Sequence, residues 1–270
     1  MGDFSVRFWG VRGSIPVSGP TTLRYGGNTS CVEVRAGAEH VIIDAGTGIR
    51  ALGASLKTPL SVRMLFSHLH WDHIQGFPFF APIYNKDASI EMYSGHKAEG
   101  SLVTVLEGQM QEPNFPVNLR GLPASLEFKE IHPGAEVLEF GDLGVHTIPL
   151  RHPNGAMGMR FEYQGRVFVH ITDHEHNDAF ADAVVQFCRD ADVLSIDTMF
   201  TPEDYVGYEG WGHSHWGHAV DICEQAGVRK LVLFHHNPDY DDDTLDGIHA
   251  AVVGRFPNTV MAKEGLEIDL

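Results

Sequence analysis

Ser67-His68-Leu69-His70-Trp71-Asp72-His73 follows directly on Val62-Arg63-Met64-Leu65-Phe66. The second of these stretches is a short, almost wholly apolar run and reads as a buried strand. The first sets four residues able to hold first-row metals, His68, His70, Asp72 and His73, in the turn at that strand's end. Imidazole nitrogen and carboxylate oxygen suit zinc, and also manganese or iron, whereas calcium or magnesium would call for an almost all-oxygen set. On a tight turn His68 and His70 can point one way while the Asp72-His73 pair points to a neighbouring position. The spacing therefore suggests two ions rather than one.

With 17 histidines in 270 residues some clustering arises by chance. Four ligand-type residues within six positions at the end of an apolar strand go beyond that. The chain is long enough to bury a sizeable core, and 19 Lys and Arg against 36 Asp and Glu leave a net charge of -17. A field of that sign repels a long polyanion unless a local basic patch overcomes it, so nucleic acid is disfavoured as a partner. The three cysteines, Cys31, Cys188 and Cys223, are far apart and odd in number. They point to neither a disulfide framework nor a thiolate metal site. Residues 1–5 lack a basic region followed by an apolar stretch, and no run of 18 apolar residues occurs. A soluble, cytoplasmic protein with no membrane segment is expected.

Outward from the metal turn, residues 31–35 and 41–44 read as a hairpin pair, and Asp44-Ala45-Gly46-Thr47-Gly48 leads into a helix through about Leu56. With the strand at 62–66 this makes a β-β-α-β unit. Asp44 is either a helix cap or a partner for a metal-bound histidine. A first strand at 5–9 is followed by a long glycine-rich loop, and Arg12 and Arg24 within it can present cations to an anionic substrate or be solvated surface residues. Beyond the turn, residues 77–82 and 114–117 are apolar and proline-punctuated, fit to cover an active site or a homodimer interface. A strand at 90–93 leads to a helix near 98–109. Five short runs at 126–131, 136–140, 145–150, 158–163 and 167–171, separated by turn residues, read as an antiparallel meander. Thereafter helix and strand alternate, with strands at 193–196 and 231–234 and helices to about 188, at 215–226 and at 243–256. Asp239-Tyr240-Asp241-Asp242-Asp243 reads as a helix start rather than a calcium loop. No linker or repeat interrupts residues 1–270, which are expected to form one domain.

Two metals about 3.5 to 4 Å apart can hold a nucleophilic hydroxide and neutralise charge on the attacked group. They need about seven protein ligands with positions left open. The first turn supplies four, and His152, Asp173 and His235 each lie just past the end of an expected strand. His236 is the alternative to His235.

His-x-His-x-Asp-His after a strand, a later lone His, Thr172-Asp173 after another strand and a last strand-end His resemble the metallo-β-lactamase fold superfamily over nearly the whole chain. The resemblance implies an α/β fold, an αββα sandwich of two mixed β-sheets flanked by helices. It implies that His68, His70 and His152 hold one metal, that Asp72, His73 and His235 hold the other, and that Asp173 lies between. Ile196-Asp197-Thr198-Met199-Phe200, Gly212-His213-Ser214 and Leu231-Val232-Leu233-Phe234-His235 are similar to the phosphodiesterase branch, which includes ribonuclease Z. There the histidine of Gly-His-Ser assists phosphate cleavage, paired with an acid at the position of Asp197, more often Glu. Asp72, His213 and Asp197 are thus the implied catalytic residues, and Arg12, Arg24 and Arg151 candidates for binding phosphate.

The expected activity is a dinuclear hydrolase, with two zinc ions or else manganese or iron, acting on a small phosphodiester such as a cyclic nucleotide. A lactonase or other ester or amide hydrolase of the same fold is the alternative, and a diiron redox or oxygen-sensing protein the alternative outside hydrolases. Ribonuclease Z carries a long arm for gripping tRNA between the positions matching His152 and Asp173, where only twenty residues stand here. With the acidic charge, this leads to the expectation that tRNA is not a substrate.

Overall fold

The computed structural model describes residues 3–95 and 100–270. Its elements run β1 (Phe4–Gly10), β2 (Cys31–Ala36), β3 (Glu39–Ile43), α1 (Ile49–Ser55), β4 (Leu60–Phe66), α2 (Trp71–Ile74), β5 (Ala88–Ser94), α3 (Leu102–Gln109) and β6 (Ser125–Glu130). The second half runs β7 (Leu138–Phe140), β8 (Leu143–Leu150), β9 (Ala156–Tyr163), β10 (Arg166–Ile171), α4 (Asp178–Phe187), β11 (Val193–Asp197), α5 (Pro202–Tyr205), α6 (Trp216–Ala226), β12 (Leu231–Phe234), α7 (Asp242–Arg255), β13 (Thr259–Met261) and β14 (Glu267–Asp269).

The strands form two seven-stranded sheets, ordered β14-β1-β2-β3-β4-β5-β6 and β13-β12-β11-β10-β9-β8-β7. Each is antiparallel over its first three pairings, counted from β14 or from β7, and parallel over its last three. The sheets are therefore both mixed, as the resemblance implied.

Period-2 alternation decides which side chain goes to which layer. In β12, Val232 and Phe234 enter the core between the sheets, while Leu231 and Leu233 enter the layer under α4, α6 and α7. In β3, Val41 and Ile43 face the inner core and Ile42 faces α1. Strands apolar on both faces need cover on both, and the helices supply the outer cover. A fully buried Val, Leu or Phe contributes about 1.5–3 kcal/mol by leaving water, so these three apolar layers hold the sandwich together. Gly227, in the left-handed region at φ 70°, ends α6, and Asp241 caps α7 through a 2.8 Å bond from the Thr244 N–H.

The β-β-α-β unit forms as expected from β2, β3, α1 and β4. The meander does not form as expected. β6 pairs in parallel with β5 in the first sheet, and only β7 to β10 run antiparallel in the second. Turn residues separate the runs equally well in either case, but Leu126 and Phe128 pack on the outer layer beside α3, which fixes β6 to that sheet. The expected start of α3 at Ala98 lies outside the described residues. Its observed N-cap is Ser101, whose side chain accepts from Thr104 N. Among the described residues no helix is long and apolar enough to cross a membrane.

Candidate metal centre

The centre sits where β4, β10, β11 and β12 end together. Three of the residues that leave these strands or β3 adopt left-handed backbone: Asp44 at φ 60°, Asp173 at φ 52° and His235 at φ 62°. Each such residue bends the chain sharply at the strand's last rung. Past β4, the four residues from Ser67 to His70 carry His68 and His70, and the single turn of α2 then presents Asp72 and His73.

Of three groups of donor atoms, each with all its atoms within 4.8 Å of one another, two hold the residues of the metal turn: His68, His70, His152 and Asp173 in one, Asp72, His73, Asp173 and His235 in the other; the third joins Asp173 and His235 to Asp197 and His213. Asp173 belongs to both, and its two oxygens divide between them. Oδ2 lies 3.4 Å from His68 Nε2 and 3.5 Å from His152 Nε2. Oδ1 lies 3.2 Å from His73 Nε2 and 3.1 Å from His235 Nε2. Asp72 Oδ2 completes the second group at 3.2 Å from His73 Nε2 and 3.4 Å from His235 Nε2. Within the first, His152 Nε2 is 2.9 Å from His70 Nδ1.

The far side of each ring shows which nitrogen is free to bind. His73 Nδ1 donates to Asp44 Oδ2 at 2.7 Å, and His152 Nδ1 donates to the Gly212 carbonyl at 2.8 Å. Their Nε2 atoms are thereby left as lone pairs aimed inward. Nε2 of His68, His73 and His235 is buried without a hydrogen-bond partner, an arrangement that folded proteins avoid unless something else satisfies the atom. The orphaned nitrogens and the nitrogen–oxygen donor set fit a pair of first-row cations.

Electrostatics agree. Burial, reinforced by His73, pushes His68 well below the usual histidine range. Burial also works against charge on His73, but Asp72, Asp173 and Asp44 outweigh it and hold His73 well above that range. Burial would raise Asp173, yet His235, His73 and His68 keep it ionised. The carboxylates that draw a proton onto His73 would draw a metal cation in the same way.

Beside the second group, His213 Nδ1 lies 2.7 Å from Asp197 Oδ2, so the shorter aspartate reaches its histidine. Burial opposes charge on His213, but Asp197 raises it to about 9. Its ring stacks on His235 at 5.1 Å and meets His152 edge-on at 5.2 Å.

His235 rather than His236 joins the cluster; His236 Nε2 bonds the Ala262 carbonyl at 2.7 Å. Asp44 is a histidine partner and not a helix cap. Its Oδ1 also accepts the Ser67 N–H at 2.7 Å, and Oδ2 accepts from the hydroxyls of Ser67 at 2.8 Å and Ser30 at 3.1 Å.

Two of the three arginines proposed for phosphate lie elsewhere. Arg12 is wholly buried, and its guanidinium is held by the carbonyls of Gly26, Asn237 and Tyr240. It ties the glycine-rich loop to the segment after β12. Arg24 pairs with Asp243 and, at 2.6 Å, with Asp246, both in α7. Arg151 stays partly exposed, 4.0 Å from Glu175.

Sequence reading missed two contributors. The Ser14 N–H donates to Asp72 Oδ2 at 2.8 Å, a backbone contact with no signature in residue type. Glu175 is buried and accepts from the Gly210 N–H at 2.7 Å, the Gly212 N–H at 3.1 Å and the Tyr205 hydroxyl at 3.0 Å, so that it fixes the loop before His213. Its place two residues after Asp173 was the available clue.

A family model described as a beta-lactamase superfamily domain matches residues 39–236. A curated ribonuclease Z from Porphyromonas gingivalis is 22% identical over 320 aligned positions covering 100% of both chains. Among solved structures, the metallo-β-lactamase fold protein YhfI from Bacillus subtilis covers 98% of each chain at 21% identity with a TM-score of 0.72. Human tRNase Z, short form, covers 98% of each at 19% identity, also with a TM-score of 0.72. The expectation that tRNA is not a substrate is overturned by these relatives, since proteins named for RNA cleavage match this chain from end to end. Net charge is a property of the whole molecule and does not describe the field at one cleft, and an arm is only one way to grip RNA.

Proposed function

The chain belongs to the beta-lactamase superfamily, and on that premise we propose that it is a metal-dependent hydrolase that cleaves a phosphodiester at a dinuclear zinc centre held by His68, His70, Asp72, His73, His152, Asp173 and His235. The observation that carries this is the Asp173 carboxylate, which turns one oxygen to each group of donors. When bound, such a metal pair makes a water nucleophilic near neutral pH and offsets negative charge growing on phosphorus. Asp44 and the Gly212 carbonyl hold His73 and His152 in the tautomer whose Nε2 faces the centre. Asp197 holds a proton on His213 Nδ1, which leaves Nε2 to give a proton to the departing oxygen or bond a phosphate oxygen.

Two substrate readings follow, a small diester such as a cyclic nucleotide and RNA. The end-to-end likeness to ribonuclease Z proteins favours RNA. Hydrolysis of bis(p-nitrophenyl) phosphate by metal-loaded protein tests the proposal, beside Asp72→Ala and His213→Ala variants. Both variants should lose activity, Asp72→Ala together with metal and His213→Ala with metal retained. An inactive, fully loaded wild type would overturn the phosphodiester reading and turn attention to lactones.

A further inference from the structure

Two tryptophans stand in the open beside the centre, and no role above uses them. Trp71 lies between His70 and Asp72 in the chain and keeps 72% of its surface exposed; Trp211 directly precedes Gly212 and His213 and keeps 64%. The other two of the chain's four tryptophans serve the fold. Trp9 donates to Glu33 at 2.8 Å, and Trp216 packs on the helical layer. Tryptophan joins a broad apolar face to a polar N–H, which is why it is enriched where a surface binds a partner.

The backbone of Trp71 and the ring of Trp211 are held by their surroundings. Trp71 opens α2, between two candidate ligands, and its carbonyl accepts the Gln75 N–H at 2.8 Å. Trp211 meets Tyr208 edge-on at 5.2 Å, and Tyr208 stacks on Phe200 at 4.6 Å. The buried Glu175 carboxylate anchors the same loop on either side of Trp211.

The two positions are joined through the centre itself. His152 reaches the Gly212 carbonyl, next to Trp211, through Nδ1 and His70, next to Trp71, through Nε2. His70 is only partly buried, whereas the side chains of His68, His73, His152 and His235 are at most 2% exposed. The first group therefore opens to solvent on the His70 side, and Trp71 is the next residue in the chain.

We infer that Trp71 and Trp211 stack the nucleobases attached to the scissile phosphate, so that the substrate is a diester carrying a nucleobase on at least one arm. This rests on the phosphodiesterase reading and narrows it. Charge supports the same conclusion. Arg12 and Arg24 are engaged away from the centre. Stacking grips a nucleotide without needing a positive field, because every base has a π-face.

The test compares kcat/KM for thymidine 5′-(p-nitrophenyl phosphate) and methyl p-nitrophenyl phosphate, diesters with one leaving group and with or without a base. It uses metal-loaded wild type, W71A and W211A, with W71F and W211F as conservative variants and metal content measured for each. Each alanine variant should lower the nucleoside-to-methyl ratio about tenfold, mostly through KM, the scale of one base on one ring, and phenylalanine should restore it. An unchanged ratio in both alanine variants with normal metal content would overturn the inference while leaving the phosphodiesterase reading intact. A wild type that cleaves neither diester would overturn both. Repeating the series on a short RNA separates the sources. A larger tryptophan effect there assigns the base to a polynucleotide and an equal effect to a free nucleotide, and either supports the stacking role.

Discussion

Replacing Asp44 with Asn tests whether the centre depends on a group that touches no ion. Asp44 Oδ1 accepts a backbone N–H from Ser67 at 2.7 Å, and that donor cannot be reversed. In the variant the amide oxygen must take this place, which sets the NH2 against His73 Nδ1, where Oδ2 now lies at 2.7 Å. An NH2 donor favours the tautomer with a bare Nδ1 and a proton on Nε2, the atom that faces Asp72 and Asp173. Binding an ion must then displace that proton and leave two donors opposed. Losing such a partner typically weakens metal binding by about 10- to 100-fold, or about 1.4–2.8 kcal/mol. The assay is chelator competition for each ion, together with thermal melting at fixed free metal. At saturation a 100-fold weaker site gives up about 2.7 kcal/mol of metal-linked stability. Loss should fall on the ion held by Asp72, His73 and His235 before the other. An Asn variant that holds both ions with wild-type affinity would refute the tautomer argument.

Asp197→Asn should keep full metal content while lowering kcat by about 10²- to 10⁴-fold, the usual weight of a positioned acid or base; steady-state kinetics and metal analysis check it together. A methyl group at Gly13 would lie 2.6 Å from the Nδ1 of fully buried His235 and 2.4 Å from the flexible end of Met199. Gly13→Ala should therefore lose metal from the second group first and cost about 1–3 kcal/mol in urea unfolding. Glu33 is buried on β2, inside the first sheet; burial would raise it, but His40, Trp9 and Arg35 hold it at about 2. Its folded value lies below its unfolded one, so its contribution is complete above about pH 4.5 and disappears as pH falls towards 2. Wild type should lose up to about 3 kcal/mol more than Glu33→Gln between pH 6 and pH 2, measured by urea unfolding at several pH values.

What could be read in the chain beforehand was whatever has a short range. The metal turn announces itself in seven residues. The alternation of Leu231-Val232-Leu233-Phe234 assigns both faces of a buried strand. His152, Asp173 and His235 were legible as strand ends, because the place where an apolar run stops is local. Pairing across the chain was not. β6 looks like one more strand of a meander until its outward contacts with the layer beside α3 are known. β13 and β14, three residues each, are too short to show a period and gain their identity from β12 and β1. Arg12 and Arg24 had the right chemistry for phosphate, but carbonyls of Asn237 and Tyr240 and carboxylates of α7, more than 200 residues on, claim them. The Ser14 N–H on Asp72 belongs to a backbone atom that every residue but proline has, so no residue type could have flagged it.

The left-handed backbone at Asp44, Asp173 and His235 has an evolutionary consequence. None of the three is glycine, and for other residues this conformation costs on the order of 1–3 kcal/mol. Asparagine or glycine would relax it, most readily at His235. Selection for a sturdier fold and selection for turnover therefore pull in opposite directions at the same three codons. A lineage freed from the need to catalyse should lose these residues early and melt later than its active ancestor. Where a descendant keeps all three, their persistence is itself a record that the chemistry has been under continuous selection.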